Sequence, residues 1–452
     1  MTPSHDPTPH VRPGFAVSNG ARVFRHRSYR LFFGGQFVSL IGTWMQNVAQ
    51  GWLVLQLTGD PFILGLVSAL QFLPVLLFGL FGGLVADALP KRKTLIATQT
   101  VQMLLAFILF ALVATHTVQV WHILILATLL GATNAVDMPT RQSFAVEMVG
   151  REDVANAVAL NSAMFNMARI VGPAVAGLTI GGANAIAGSD DPYLGEAVAF
   201  LINGLSFLAV IVAYAWIRQD ELHSPPVLVR PTSLAEVRST LAEGLHYVRL
   251  TPLVLLATVV VGLASTFGMN FGVIIPALAR DILHTDATGY GFLMAATGVG
   301  SLGAALLIAF SGRSRPWVIV GGASLLGVGL AAGAAIHVYW LALPVMVLVG
   351  FGAIGMAATA NTTIQLAVPD ELRGRVIAVY TTVFAGSTPI GGLLMGGIAS
   401  RFGVDVSLLV GGLACVATGI GGWVWLRRIQ RNAHAGDPGG RAFSRAGPSA
   451  RP

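Results

Sequence analysis

Twelve apolar stretches of about 20 residues or more follow one another between residues 30 and 426. Each is long enough to cross the roughly 30 Å hydrocarbon core of a bilayer as a helix. Charged residues make up only 10% of the chain and hydrophobic residues 54%. Soluble domains carry about 25% charged residues, so this chain has too little polar surface for a body that faces water all round. In lipid every backbone N–H and C=O must be paired internally, which leaves helices or a closed barrel. The apolar runs are continuous rather than alternating over ten-residue segments, which selects helices. The expected fold class is therefore an all-α membrane protein with twelve transmembrane helices.

The spans are expected near 30–57, 62–86, 94–115, 118–139, 154–182, 194–217, 252–279, 287–311, 316–337, 340–367, 374–400 and 405–426. Connections are short except for the polar stretch 218–251, which carries Pro225, Pro226, Pro231, His246 and Arg249. A long polar linker at the midpoint divides the chain into two pseudo-symmetric six-helix bundles. The expected organisation is a cytoplasmic tail at 1–28, a first bundle at 29–217, a cytoplasmic linker at 218–251, a second bundle at 252–426 and a disordered cytoplasmic tail at 427–452. The first 28 residues are polar and hold no apolar segment of signal-peptide type, so the first span is expected to act as the insertion signal.

The charges orient the spans. With both termini inside, Arg12, Arg22, Arg25, Arg27, Arg30, Lys91, Arg92, Lys93, Arg141, Arg151, Arg218, Arg230, Arg238, Arg249, Arg313, Arg315, Arg373 and Arg375 all fall on the cytoplasmic side. Arg280 and Arg401 fall outside, beside Asp60, Asp190, Asp191, Glu196, Asp281, Asp286 and Asp405. That asymmetry is the positive-inside pattern of a multi-pass protein of the cell inner (plasma) membrane. It also accounts for the net charge of +7 without nucleic acid: no basic run is interleaved with the aromatics that stack on bases. The single cysteine, Cys415, excludes an internal disulfide and a cysteine metal site. His116 and His122 lie close in sequence without a carboxylate beside them, so no metal is expected there.

The halves echo each other in order. Gly65-Leu66-Val67-Ser68-Ala69 matches Gly291-Phe292-Leu293-Met294-Ala295, Gly172-Pro173 with Gly177 matches Thr388-Pro389 with Gly391 and Gly392, and Met45-Gln46 matches Met269-Asn270. Duplicated halves around a midplane site recur among transporters.

Three stretches carry candidate function. After the second span comes Gly83-Leu84-Val85-Ala86-Asp87-Ala88-Leu89-Pro90-Lys91-Arg92-Lys93. Gly83 and Asp87 lie one helical turn apart, so a close helix contact sits beside a carboxylate. That carboxylate is placed to face a helix N-terminus, with Lys91 or Arg92 free to latch a second acid. Asp137, with Arg141, stands at the same depth at the end of the fourth span. The alternatives are an ordinary positive-inside loop for the basic residues and an interfacial helix end for Asp137. In the fifth span Ser162, Asn166, Arg169 and Pro173 fall within roughly 60° of one another. An Arg near a helix centre costs at least about 2.5–3.5 kcal/mol against lipid, so Arg169 is expected to face protein or water. It would bind substrate there or cap the carbonyls freed by Pro173. In the first span Gln36, Ser39, Thr43, Asn47 and Gln50 share an arc of roughly 80°. Such a stripe lines an aqueous cavity or bonds neighbouring helices. Asn270 in the seventh span joins the cavity candidates, and Trp44 and Trp52 suit an amphipathic organic ligand or an interfacial belt.

The loop from Gly83 to Lys93 resembles the loop motif of the major facilitator superfamily, departing from it at Ala88 and Pro90. The corresponding loop of the second half, ending Gly312-Arg313-Ser314-Arg315, has no acid. Gly172-Pro173 with Gly177 looks like the fifth-helix antiporter motif of superfamily exporters, with Ala168 and Ala176 in place of flanking glycines. The stretch from Asp137 through Gly177 and the run Gln365-Leu366-Ala367-Val368-Pro369-Asp370-Glu371-Leu372-Arg373-Gly374-Arg375-Val376 resemble the enterobactin-exporter and multidrug-efflux branch. The resemblance implies a monomeric secondary transporter, not an enzyme, that works by alternating access. It would use the proton motive force to export a small amphipathic siderophore or drug, with no bound cofactor. A lysophospholipid flippase on the same fold is the alternative, and a non-transporting polytopic protein the second. No Walker motif is present, so ATP hydrolysis by this chain is not the energy source.

Overall fold

The computed structural model describes residues 21–187, 191–223, 234–311 and 315–435, and all regular structure among them is helical. The first half contains α1 (Arg27–Thr58), α2 (Pro61–Ala88), α3 (Lys91–Ala114), α4 (Val120–Gly150), α5 (Glu152–Ile186) and α6 (Leu194–Trp216). A connecting helix α7 (Leu234–Leu250) follows. The second half contains α8 (Pro252–Ile282), α9 (Ala287–Ser311), α10 (Trp317–Ala335), α11 (Tyr339–Ala367), α12 (Asp370–Phe402) and α13 (Val404–Ala435). Eleven of these are both long and apolar enough to cross a bilayer. The remaining span, α1, has 32 residues and is long enough; its stripe of Gln, Ser, Thr and Asn is what lowers its apolarity.

Packing repeats from one half to the other. In the first, α2 lies on α4, α1 on α5 and α6, and α3 on α4 and α6. In the second, α9 lies on α11, α8 on α12 and α13, and α10 on α11 and α13, position for position. Two seams join the bundles, α2 against α12 and α5 against α9, which are symmetry mates of each other. The glycine segments that echo in sequence meet along them. Helices alternate direction, so one end of the molecule carries Asp60, Asp191, Asp281, Asp286 and Asp405, and the other carries Lys91, Arg92, Arg141, Arg373 and Arg375. These are called here the acidic end and the basic end.

Several boundaries differ from the hydropathy reading. Helices α4 and α5 run well past the apolar segments and meet at Gly150, whose φ of +71° suits glycine. The N-terminal residues from Ala21 form a short 3-10 turn docked on the first bundle: Val23 is fully buried, and Arg22 bonds Glu152 at 2.7 Å. Residues 1–20 lie outside the described residues. The linker expected as a polar stretch contains α7, which is packed on α12. There Glu243 pairs with Arg375, and the Tyr247 hydroxyl donates to the Ala367 carbonyl at 3.3 Å. The tail expected to lack structure from 427 is helical as far as Ala435. Arg427 stacks over Trp423 at 4.9 Å.

Two expectations about the acidic end are corrected. His116 does have a carboxylate, Asp191, at 3.6 Å, brought across from the α5–α6 connection. Glu196 is not a surface loop acid: it lies fully buried in the first turn of α6.

Candidate substrate cavity and gates

A cavity of about 380 Å³ lies between the bundles near the middle of the spans. Its polar wall comes from α1 (Asn47, Gln50), α2 (Ser68, Gln71), α5 (Arg169), α8 (Asn270) and α12 (Thr388), and its apolar wall includes Trp44, Phe271 and Tyr290. Asn270 stands here because α8 breaks. The helix stops after Gly268, Met269 and Asn270 take non-helical angles, and it resumes at Phe271. The Asn270 amide donates to the Thr266 carbonyl at 2.7 Å, and its buried Oδ1 has no partner among the described residues. A broken helix at the midplane is where secondary transporters place polar groups for a ligand.

Arg169 lies between the two halves. Its guanidinium sits 5.8 Å from the ring centre of Trp44 on α1 and 5.8 Å from that of Phe271 on α8. Cation–π contacts of this kind contribute about 0.5–2 kcal/mol. Among the described residues no carboxylate pairs with Arg169 and no carbonyl accepts from it. The carbonyls before Pro173 are therefore not capped by this side chain. Gly172 instead presses against α1, where a β-carbon would come 2.4 Å from that of Trp44.

The cavity is shut toward the acidic end by backbone contacts along both seams. A β-carbon on Gly65 would approach the Gly392 carbonyl oxygen to 2.2 Å, and one on Gly291 would approach that of Pro173 to 2.4 Å. The Thr288 hydroxyl donates to the Gly177 carbonyl at 3.1 Å. Trp52 of α1 stacks on Tyr290 of α9 at 6.1 Å. Above them Arg280 donates to the Leu55 carbonyl at 2.9 Å, at the C-terminal turn of α1.

The basic end is arranged otherwise. Lys91 pairs with Glu147 of α4, both side chains about nine-tenths buried. Arg92 donates to the carbonyls of Tyr214 at 2.7 Å and Ala215 at 2.5 Å, closing the C-terminus of α6. Asp137 is buried, and its Oδ1 accepts from Thr98 and Gln99 at 2.8 Å each. Arg141 approaches its Oδ2 only to 3.6 Å. Gly83 is buried in α2, while the Asp87 side chain lies outside the described residues. Among the described residues, every partner of Lys91, Arg92, Asp137 and Arg141 belongs to the first bundle. The second carboxylate on the basic pair is thus Glu147, which the sequence reading did not single out; Lys91 and Glu147 stand 56 positions apart.

The polar stripe of α1 is divided among three environments. Asn47 and Gln50 face the central cavity. Gln36 faces a second cavity nearer the basic end, together with Ser162 and Asn166, and also accepts from the Tyr214 hydroxyl at 3.0 Å. Ser39 is buried and Thr43 donates to its carbonyl at 2.9 Å; neither lines either of these two cavities.

Comparison with known proteins agrees with this fold. The family model described as transmembrane secretion effector matches residues 19–436. The staphyloferrin A transporter of Staphylococcus aureus is 24% identical over 392 residues, covering 86% of this chain and 93% of that protein. The multidrug efflux pump Tap of Mycolicibacterium fortuitum is 27% identical over 392 residues, covering 84% and 91%. Among solved structures, a nucleoside transporter superposes with a TM-score of 0.68 at 10% identity, covering 88% of this chain and 99% of that one. A bacterial homologue of the human lysosomal transporter Spinster, in an inward-facing and occupied conformation, gives 0.68 at 14% identity, covering 89% and 97%. These structural likenesses carry the fold. The length of the family match carries membership: the chain belongs to the transmembrane secretion effector family, a family of multi-pass transporters of the major facilitator superfamily.

Proposed function

We propose that this chain is a secondary active exporter of a small amphipathic organic anion, driven by the proton motive force. The observation that carries the reading is Arg169. It is a cation in a midplane cavity, flanked by Trp44 and Phe271 and without a carboxylate partner among the described residues. A guanidinium held away from bulk water needs an acceptor, and its planar fork fits a carboxylate or similar group bidentately. Two aromatic faces beside it favour a ligand with an apolar or aromatic body. The named relatives are a staphyloferrin A transporter and a multidrug efflux pump; both names fit a small organic ligand, and the second supports outward transport. In this reading the basic end is cytoplasmic, as the positive-inside pattern favours. The conformation is then closed to the outside, and the cavity fills from the cytoplasm.

The test is transport by the purified protein in liposomes under an imposed pH gradient, with a panel of lipophilic anions, their neutral isosteres and a fluorescent lysophospholipid. The reading expects anions to be concentrated and a protonophore to abolish the effect. Concentration of anions without any pH or voltage gradient overturns proton coupling. Movement of the lysophospholipid in preference to every soluble anion overturns the substrate class and supports the lipid-handling alternative.

A further inference from the structure

The second cavity, about 680 Å³, lies between α1, α4 and α5 on the basic-end side of the central one. We infer that it is a separate entry site for the same anion, which the substrate occupies before it reaches Arg169; this rests on the anionic-substrate reading above. Its charged wall residue is Arg141. The Arg141 side chain is 23% exposed, while Asp137 behind it is 1% exposed. Asp137 Oδ1 is taken by Thr98 and Gln99, and the 3.6 Å approach of Arg141 to Oδ2 is longer than a hydrogen bond. The guanidinium has five donors in a fixed fork, and among the described residues none of them makes a hydrogen bond. Other donors join it. Asn161 accepts from the Tyr29 hydroxyl at 3.0 Å through Oδ1, which leaves its amide hydrogens for a ligand, and Gln142 lines the same wall. Leu40, Met138 and Met164 supply the apolar side. The lining is thus a cation, with Asp137 3.6 Å behind it, and amide donors against an apolar wall.

Phe165 separates the two sites. It belongs to the walls of both cavities, is 47% exposed, and meets Trp44 edge-on at 5.8 Å. Arg169 lies one helical turn further along α5 from Phe165, and its guanidinium sits 5.8 Å from the ring centre of the same Trp44. Phe165, the residue shared by both walls, stands beside the route from Arg141 to Arg169.

The test uses the full chain with Cys415→Ala and one new thiol, Ser162→Cys in the second cavity or Ser68→Cys in the central one. The rate of alkylation by N-ethylmaleimide is measured with and without naphthalene-2-sulfonate at millimolar concentration, and with the neutral naphthalene-2-sulfonamide. The sulfonate is expected to slow both thiols about tenfold, as when about nine-tenths of the sites are occupied, and the sulfonamide much less. Arg141→Gln should abolish protection of Ser162→Cys and leave that of Ser68→Cys; Arg169→Gln should do the reverse. Protection at both thiols lost together with Arg169→Gln, and untouched by Arg141→Gln, means one site and overturns the entry site alone. Protection of Ser162→Cys with none at Ser68→Cys overturns the central anion reading instead. No protection at either thiol overturns both. Should Arg141→Gln lower the melting temperature, Arg141→Lys keeps the charge without the fork, and full loss of protection with a normal melt in that variant still supports the site.

Discussion

Gly65 of α2 lies against the backbone of Gly392 of α12 so closely that a β-carbon on it would stand 2.2 Å from the Gly392 carbonyl oxygen. The symmetry-related seam repeats the relationship, with Gly291 2.4 Å from the Pro173 oxygen by the same measure. Backbone-to-backbone contact lets the seams close without side-chain gaps, and it makes closure intolerant of any added atom. Gly65→Ala and Gly291→Ala are each expected to cost the closed state about 1–3 kcal/mol while leaving the separate bundles folded. The measurement is alkylation of Thr388→Cys, in the Cys415→Ala background, by an impermeant reagent added from the acidic end. Both alanine variants should raise its rate, and unchanged rates in both would show that the seams give way at no cost.

How the seams were foreshadowed in sequence is instructive. The ordered echo of Gly65 with Gly291, and of Gly177 with Gly391 and Gly392, named the segments that meet, because small residues recur where helices approach closely. Which segment meets which was not legible, since the match between like segments says nothing about the contact between unlike ones. Hydropathy marked only the part of each helix suited to lipid. It therefore stopped α4 near 139 although the helix continues to Gly150, where Phe144, Met148 and Val149 pack on Val23 and Tyr29. The break in α8 was hidden for a related reason: Met269 and Asn270 sit within one apolar run, and its proline, Pro276, lies past the interruption inside the resumed helix. At the site, Arg169 and Asn270 were readable because a charge or an amide in an apolar span demands an explanation. Phe271 and Tyr290 were not, because aromatics in a membrane helix are ordinary until a neighbour gives them a role.

The Lys91–Glu147 pair gives a second prediction. Both side chains are about nine-tenths buried, so removing one partner strands the other. Lys91→Met and Glu147→Gln should each destabilise the first bundle by about 3–5 kcal/mol, read as a lowered melting temperature in detergent. The double variant should recover part of that loss. Additive losses in the double variant would mean that the two groups do not interact in the folded protein.

Arg280 supplies a third. Its hydrogen bond to the Leu55 carbonyl joins the second bundle to the C-terminal turn of α1, where partial negative charge gathers. The side chain is 37% exposed and also contacts Asp281 at 3.2 Å, so its net contribution is modest. Arg280→Gln should weaken closure at the acidic end by about 1 kcal/mol, roughly a fivefold shift in the open population. A spin-label distance between the acidic-end tips of α1 and α8 reads that population. No change in the distance distribution would assign Arg280 to surface charge alone.

Arg169 supports the last prediction, since its two candidate roles respond differently to one substitution. Arg169→Lys keeps the positive charge but replaces a planar five-donor fork with a compact ammonium. A structural residue that held backbone carbonyls would lose geometry with that change, and the protein would lose stability while treating all substrates alike. The observed side chain donates to no carbonyl among the described residues and rests on Trp44 and Phe271. The expectation is therefore a variant with a melting temperature close to that of the parent. Binding of lipophilic anions should fall about tenfold or more, because one bidentate charge-assisted contact is worth roughly 1.5–3 kcal/mol, while neutral analogues should bind almost unchanged. Thermal melting and equilibrium binding on the same preparation separate the outcomes. A large drop in melting temperature with equal losses for anionic and neutral ligands would return Arg169 to a structural role. A normal melt with normal binding of every ligand, in Arg169→Ala as well, would mean that the guanidinium reaches water along the cavity wall and takes part in neither.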